Sequence, residues 1–121
     1  MSDLPKRGQI DEEGPREGFQ SEKKTIPVAD KVRLIEALAD AGLKRIACVS
    51  YVNPKRVPTM ADAEEVAAAI RRKPGVQYSA LWLNQQGLER ALRGPLHVDG
   101  GVRVTASNTF SLKNIGKSVP D

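Results

Sequence analysis

The sequence predicts an α/β fold in which parallel strands alternate with helices. Four strand-like segments are separated by three segments with helical periodicity, in the order β-α-β-α-β-α-β. Regular alternation of this kind implies parallel strands joined by right-handed crossovers. The length of 121 residues is one domain at most, and a chain of this size buries roughly two-thirds of its unfolded surface.

The first predicted strand, Gln9 to Glu12, leads into a turn rich in glycine and proline, Glu13 to Gln20. Two glycines and a proline predict a tight turn that presents Arg16 and Glu17 at the end of the strand. The carboxyl ends of parallel strands are where such folds build sites. A carboxylate there can bind a hard metal ion, and a guanidinium can stabilise negative charge on oxygen. The alternative is a surface turn with a solvated ion pair.

The first predicted helix begins at Pro27 and runs to about Ala41, because apolar residues recur there at three- and four-residue steps. Gly42 follows in the position where glycine commonly ends a helix. Arg45 to Val52 is a nearly continuous apolar run, typical of a strand covered on both faces. Cys48, the single cysteine, lies inside this run, so we interpret it as a small core residue and not as a nucleophile.

The second half of the chain continues the alternation. An alanine-rich segment predicts a helix from Asp62 to Lys73, which Pro74-Gly75 ends. The remaining elements are a third strand at Val76 to Leu83, a third helix at Gln85 to Arg93 and a fourth strand at Val102 to Ser107. The last stretch has no clear period.

Composition and charge favour a soluble intracellular protein. The net charge is +4, but the basic residues are scattered among acidic ones and only five residues are aromatic, which disfavours nucleic-acid binding. The longest basic run, Arg71 to Lys73, ends a predicted helix, where cations offset the macrodipole. With no 18-residue apolar run, no apolar signal segment and one cysteine, we expect a cytoplasmic protein without a membrane partner.

Two architectures use this element order, the open doubly wound sheet and the (β/α)8 barrel. Neither G-x-G-x-x-G nor G-x-x-x-x-G-K-[ST] occurs, so the usual nucleotide-binding patterns of doubly wound sheets are missing. Positive net charge would suit a phosphate-bearing small molecule such as a CoA ester, although only as weak support.

Four motifs, in order, resemble the hydroxymethylglutaryl-CoA lyases, which are metal-dependent lyases with an aldolase-like TIM barrel. GPREGFQSEK resembles the family's GPRDGLQ signature, and ADAGLKRIACVSYVNPKRVPTMADAEEV resembles its second strand and loop. YSALWLNQQGLERAL and TASNTFSLKN resemble its third and fourth strands with their following residues. The resemblance implies a partial TIM barrel over residues 9–115, with about four parallel strands and three helices. We expect a flexible arm over residues 1–8 and a tail over residues 116–121.

The resemblance also implies a function. The family cleaves 3-hydroxy-3-methylglutaryl-CoA, an acyl-CoA of leucine degradation, to acetyl-CoA and acetoacetate with a divalent cation, Mg or Mn. Arg16 matches the catalytic arginine, whose planar fork of donors suits two substrate oxygens at once. Glu17 lies where the family has a metal-binding aspartate. The remaining matched positions are expected to contact substrate: Gln20, Ser50, Asn84, Ser107 and Asn108, the last two at the end of the fourth strand.

The chain departs from the family pattern at several of these positions. Glu17 is one methylene longer than aspartate, which moves the carboxylate by ~1.5 Å. Ala47 stands where many relatives have an acid, Asn108 where many have glutamate, and Glu13 replaces an apolar residue. His97 is the only histidine, and we interpret it as a solvated loop residue and not as a ligand, so the family's later metal ligands are absent. These differences fit a branch with another substrate or relaxed selection on the site.

Length is the largest departure, because a complete barrel takes about 250 residues. Four strands leave two unpaired sheet edges that a second half would cover. We therefore expect a fragment of a longer protein, a homodimer or complex with a complementing half-barrel, or a truncated product. Two alternatives to the lyase remain open. One is a non-catalytic half-barrel or interaction module, and the other is a related acyl-CoA or 2-oxo acid lyase; the PKRVPTMAD loop favours the lyases over the synthases.

Overall fold

The computed structural model describes residues 3–101 and 104–119, and within them it contains one sheet of four parallel strands. The strands lie side by side in chain order: β1 at Asp11–Glu12, β2 at Arg45–Tyr51, β3 at Gln77–Trp82 and β4 at His97–Val98. Because neighbouring strands are parallel and consecutive, the sheet has the topology of part of a barrel. This confirms the predicted α/β class.

Five helices in the described ranges connect and follow the strands. They are α1 at Phe19–Ser21, α2 at Val28–Asp40, α3 at Ala63–Ala69, α4 at Gln85–Arg93 and α5 at Asn108–Asn114. A π-helical turn at Gly14–Gly18 precedes α1, and a 3-10 turn at Pro58–Met60 precedes α3. None of the helices in these ranges has both the length and the apolar content needed to cross a lipid bilayer.

Predicted and observed bounds agree best at α2 and α4. Gly42 follows α2 with φ of 102°, a left-handed conformation that side chains rarely adopt, so glycine ends this helix as predicted. The helix α5 was not predicted, because its seven residues are too few to establish a helical period.

The outer face of the sheet carries the hydrophobic core. Ile46 of β2 and Tyr78 and Ala80 of β3 are buried there under α2, α3 and α4. The helices contribute mainly small and branched residues to this core: Ile35, Ala39, Ala63, Val66, Ala67 and Ala91. Cys48 is free and buried in the same layer, and its burial raises the pKa of the thiol to about 12. The structure thus supports its interpretation as a core residue.

An irregularity in β2 changes which residues face outward. The pairing of β2 with β3 shifts between Ala47 and Val49, so that Ala47 pairs with Ser79 and Val49 with Ala80. This extra residue is a β-bulge. Because of it, Cys48 and Val49 both join the core, while the next residue, Ser50, turns toward the opposite face.

The fourth strand lies earlier than predicted. We expected Val102 to Ser107, of which residues 102 and 103 lie outside the described part of the chain. The strand is His97–Val98, paired with Ser79 and Ala80, and Val104 is 90% exposed. His97 is therefore an exposed strand residue, where we expected a loop. Leu96 beside it is buried in the core, which fixes this segment against the sheet.

The second predicted helix ends earlier than expected. It was predicted from Asp62 to Lys73, whereas α3 ends at Ala69 and the next residue is extended. Arg71 instead donates its backbone N–H and its guanidinium to Glu36 of α2, at 3.0 and 2.7 Å, and these bonds lower the pKa of Glu36. The next two basic residues also bind tertiary partners, Arg72 with Pro95 and Lys73 with Asp40. This basic run therefore ties the helices together and does not cap a helix.

Candidate active site

The turn after β1 is a single π-helical turn that begins at Gly14. Its backbone N–H donates to Glu12 Oε1 at 2.6 Å, and a Cβ on Gly14 would lie 2.7 Å from the same oxygen. Pro15 is buried, and Glu17 N donates to Glu13 O at 2.7 Å. The carboxylate is the end of a flexible side chain, so a Cβ at this position would displace it and break its hydrogen bond to the turn.

This turn holds Arg16 between two carboxylates. Arg16 Nε donates to Glu13 Oε2 and Nη1 donates to Glu17 Oε2, both at 2.7 Å. The arginine side chain is 17% exposed, while the two glutamates are 53% and 59% exposed. Hydrogen bonds between ionised groups are the strongest in proteins, so they fix the plane of the guanidinium. The predicted neighbours Arg16 and Glu17 are therefore in direct contact.

Arg16 borders a small cavity on the inner face of the sheet. The cavity has a volume of ≈ 70 Å³, and Ala47 of β2 with Ser79 and Leu81 of β3 forms its floor. Glu13 lies at its rim beside Arg16. These three strand residues alternate with the outward-facing core residues, as the two-residue period of a strand requires. Asp99 also lines the cavity, so the guanidinium of Arg16 shares it with the carboxylates of Glu13 and Asp99 above an uncharged floor.

Gln20 and Ser50 are brought together although thirty positions separate them in the chain. Ser50 is fully buried, and its hydroxyl donates to Gln20 Oε1 at 3.0 Å. The bulge in β2 is what turns Ser50 toward α1. The bond satisfies the buried hydroxyl and fixes the amide of Gln20.

Gln20 and Asn84 line a second, larger cavity near the carboxyl ends of β2 and β3. Its volume is ≈ 380 Å³, and amides make up much of its polar wall, with Asn53, Arg56 and Asn114 as further lining residues. Asn84 also caps α4, because its Oδ1 accepts from Gly87 N at 2.9 Å. The structure thus groups three of the predicted substrate-contacting residues, Gln20, Ser50 and Asn84, while their role in binding stays a prediction.

Ser107 and Asn108 lie elsewhere than expected. Both belong to the start of α5 and not to the end of a strand. Ser107 Oγ accepts from Phe110 N at 3.2 Å as the helix cap, and Asn108 Oδ1 accepts from Val119 N at 3.1 Å. It is the other end of α5 that reaches the larger cavity, where Arg56 donates to the carbonyl of Lys113. A substrate contact by Ser107 or Asn108 remains a prediction.

The residues fit a divalent cation only in part. Carboxylate oxygen is the ligand that Mg and Mn prefer, and Glu17 offers an exposed carboxylate beside Arg16. Within residues 3–101 and 104–119, however, no three His, Cys, Asp or Glu side chains form a group that could hold a metal ion. Glu17 can therefore act as one ligand of a site that needs further donors.

Two residues near this site were missed by sequence reasoning. Glu13 was noted only as a departure from the family, whereas it is a partner of Arg16. Lys31 of α2 is 2% exposed and binds Asp62. Its position was a usable signal, because Lys31 falls on the apolar face of α2, three residues after Val28 and four before Ile35.

No family model matches this chain, but several curated proteins do. A 3-hydroxy-3-isohexenylglutaryl-CoA/hydroxymethylglutaryl-CoA lyase of Pseudomonas aeruginosa is 48% identical over 118 residues, which are 98% of this chain and 39% of that protein. A hydroxymethylglutaryl-CoA lyase of Bacillus subtilis is 44% identical over 97% of this chain and 39% of its own length. The mitochondrial lyase of Rattus norvegicus is 40% identical over the whole chain and 37% of its own length.

Solved structures agree with the sequence relatives. The P. aeruginosa lyase superposes with a TM-score of 0.85 over 98% of this chain and 39% of that chain, at 48% identity. A lyase of Acinetobacter baumannii, solved with coenzyme A and 3-methylmalate, gives a TM-score of 0.80 at 33% identity, over 87% of this chain and 34% of that one. The chain thus spans about 39% of the length of the P. aeruginosa and B. subtilis relatives.

Proposed function

We propose that this chain, which is similar to the N-terminal part of the hydroxymethylglutaryl-CoA lyases, belongs to that family and contributes Arg16 to a carbon–carbon lyase site. The reaction is the cleavage of 3-hydroxy-3-methylglutaryl-CoA to acetyl-CoA and acetoacetate. The observation that carries the proposal is the Arg16 guanidinium, largely buried and fixed by two carboxylates beside a cavity on the inner face.

The chemistry explains why an arginine is needed. The 3-hydroxyl loses its proton and the bond between C2 and C3 breaks. The electron pair of that bond moves onto the thioester and forms an enolate, which is then protonated to give acetyl-CoA. Arg16 would donate to the oxygen on which this negative charge develops. Its pairing with Glu13 and Glu17 holds the guanidinium in place before substrate arrives, which avoids reorganisation during the reaction.

The cation of this site would be Mg or Mn, with Glu17 as one carboxylate ligand. When bound, such an ion polarises substrate oxygens as a Lewis acid. The remaining ligands would come from outside the residues described.

The second candidate function, a non-catalytic half-barrel, is favoured by the lack of a three-residue metal-holding group in the described part of the chain.

We propose that the acyl-CoA binds in the larger cavity, where Gln20 and Asn84 would orient it and the buried Ser50 would act by fixing the amide of Gln20. Amide groups there can donate to a thioester carbonyl or a carboxylate. The A. baumannii relative was solved with coenzyme A, which supports a CoA ester as substrate. The name of the P. aeruginosa relative includes a 3-isohexenyl substrate, which favours 3-hydroxy-3-alkylglutaryl-CoA esters with longer chains as alternative substrates.

The edge strands β1 and β4 have two residues each, and we propose that a second half-barrel, from another copy or another polypeptide, covers them. Exposed apolar residues on α5, Phe110 and Leu112, lie near the end of the described chain and would join this contact. A stable monomer in sedimentation at micromolar concentration would contradict the homodimer. We propose a cytoplasmic location, because the single cysteine is free and buried, as suits a reducing compartment.

The test of the lyase proposal is acetoacetate release from 3-hydroxy-3-methylglutaryl-CoA with Mg or Mn present. Arg16→Gln should lower kcat by about 100-fold or more, because it removes a donor to the developing oxyanion. Arg45→Gln is the matched control, since Arg45 also pairs with an acid, Asp11, but at 3.4 Å on the surface. Equal rates for wild type and Arg16→Gln would reject the role of Arg16. No release by folded wild-type protein would favour the non-catalytic function.

A further inference from the structure

Lys31 is a buried cation whose contacts lead directly to the candidate site. Its ammonium donates to Thr59 O at 2.6 Å and to Asp62 Oδ1 and Oδ2 at 2.7 and 2.8 Å. The side chain is 2% exposed, and these contacts use the donor capacity of an ammonium group. Burial of such a charge is tolerated only when it is paired and hydrogen-bonded. An apolar residue would fill the same place on α2 with less desolvation, so packing alone does not explain the lysine.

The loop that Lys31 binds is joined to α1, the helix after the Arg16 turn. Thr59 Oγ1 donates to Gln20 O at 3.2 Å. The ammonium of Lys31 also lies 6.0 Å from the centroid of the Phe19 ring, at the outer limit of a cation–π contact. The side chain of Gln20, the residue after Phe19, accepts a hydrogen bond from the hydroxyl of Ser50. Helix α1 is therefore held by α2, by the loop before α3 and by β2.

We propose that Lys31 is a positioning residue of the candidate site. It fixes the segment Pro58 to Asp62 against α1, and α1 in turn sets where the turn Gly14–Gly18 presents Arg16 and Glu17. The geometric part of this inference is independent of the reaction. Its catalytic meaning rests on the proposed lyase function, through the placement of Arg16.

The test separates local positioning from global stability. A double variant, Lys31→Met with Asp62→Leu, removes both charges and leaves no unpaired ion, and such replacements of buried ion pairs are often neutral for stability. We expect amide hydrogen exchange across Gly14–Ser21 to become faster by about tenfold or more, while exchange in β2 stays as in wild type. Thr59→Val, which removes the hydroxyl bond to Gln20 and keeps the Lys31 pair, should give a smaller increase in the same segment.

Three controls make the result decisive. Lys73→Met removes a lysine that is half-exposed and paired with Asp40, and should leave exchange in the turn unchanged. Val66→Ala reports what general loss of core packing does to exchange everywhere. Lys31→Arg should retain part of the protection that the double variant loses, because it keeps the charge.

Unchanged protection of Gly14–Ser21 in both the double variant and Thr59→Val would overturn the proposal. Exchange that rises equally in the turn and in β2, as for Val66→Ala, would overturn it too and assign Lys31 to general stability. Failure of the lyase proposal is seen separately, as an unchanged rate in Arg16→Gln. In an active protein the double variant should lower kcat more than it raises KM.

Discussion

The two faces of the sheet differ in what holds them. The outer face is covered by α2, α3 and α4, and its residues, such as Ile46 and Tyr78, are almost completely buried in one apolar cluster. The inner face carries Ala47, Ser79 and Leu81, which are only partly covered, and its strongest contacts are ion pairs and hydrogen bonds around Arg16. Stability should therefore depend on the outer face and chemistry on the inner one.

The bulge in β2 joins the two faces. It lets Cys48 and Val49 both pack outward and turns Ser50 inward to Gln20. One irregular residue in a central strand thus decides which side chains are available to the site. Bulges of this kind often lie near active sites, because they redirect a side chain.

The largest expected effect on the outer face concerns the thiol of Cys48. Burial raises its pKa from the ordinary value of 9.0 to about 12, so the thiolate fraction at neutral pH falls by about 10³-fold. Labelling with a thiol reagent should be slower than in urea-unfolded protein by at least that factor. The measurement is the labelling rate against urea concentration. Fast labelling of folded protein would show that the outer face opens readily.

Truncation of a central outer residue should come next. Ile46→Ala leaves a cavity where a side chain is 1% exposed, and we expect a loss of about 2–5 kcal/mol in the free energy of unfolding. Ser79→Ala on the inner face, whose hydroxyl lies 3.4 Å from Ile46 O, should lose about 1 kcal/mol or less. Urea unfolding of both variants measures the difference. Equal losses would remove the distinction between the faces.

The smallest effect is a pH dependence at the edge of the outer layer. A hydrogen bond from Arg90 lowers the pKa of Glu64, and this exposed pair joins α3 to α4. Since the folded pKa is below the unfolded one, the stabilisation is present above about pH 4.3 and is lost as the pH falls through the folded pKa. We expect less than about 1 kcal/mol for such an exposed pair.

Urea unfolding between pH 3 and pH 7 measures the contribution of the Glu64–Arg90 pair to the free energy of unfolding. Glu64→Gln should reduce the loss of unfolding free energy that occurs at acid pH. Part of that loss should remain, because the pKa of Glu36 is also lowered, by hydrogen bonds from Arg71. The control Glu89→Gln removes an acid of α4 whose side chain accepts a hydrogen bond from Gln85 within the same helix, and should keep the wild-type profile. A wild-type profile for Glu64→Gln as well would show that the pair adds nothing.

Local patterns predicted the elements whose bounds depend on local signals. Pro27 and Gly42 flank α2, whose bounds lie within one residue of those predicted at each end, and Asn84 and Gly94 flank α4, which has the predicted bounds. Val102 to Ser107 was predicted as a strand, while His97 was placed in a loop because glycine and proline flank it. The shorter segment is the strand because buried Leu96 and pairing with Ser79 and Ala80 fix it, and neither contact is visible in local sequence.

By itself, the sequence determined the α/β class, the central strands, the long helices, the resemblance to the hydroxymethylglutaryl-CoA lyases and the adjacency of Arg16 to Glu17. These depend on periodicity, turn residues and continuous motifs. Only the tertiary structure decided that Ser50 meets Gln20, that Glu13 pairs with Arg16 and that Lys31 binds Asp62 across 31 positions. It also moved Ser107 and Asn108 from a strand end to a helix cap. Such contacts depend on strand register, a bulge and the packing of one helix on the next, and short stretches of sequence do not specify them.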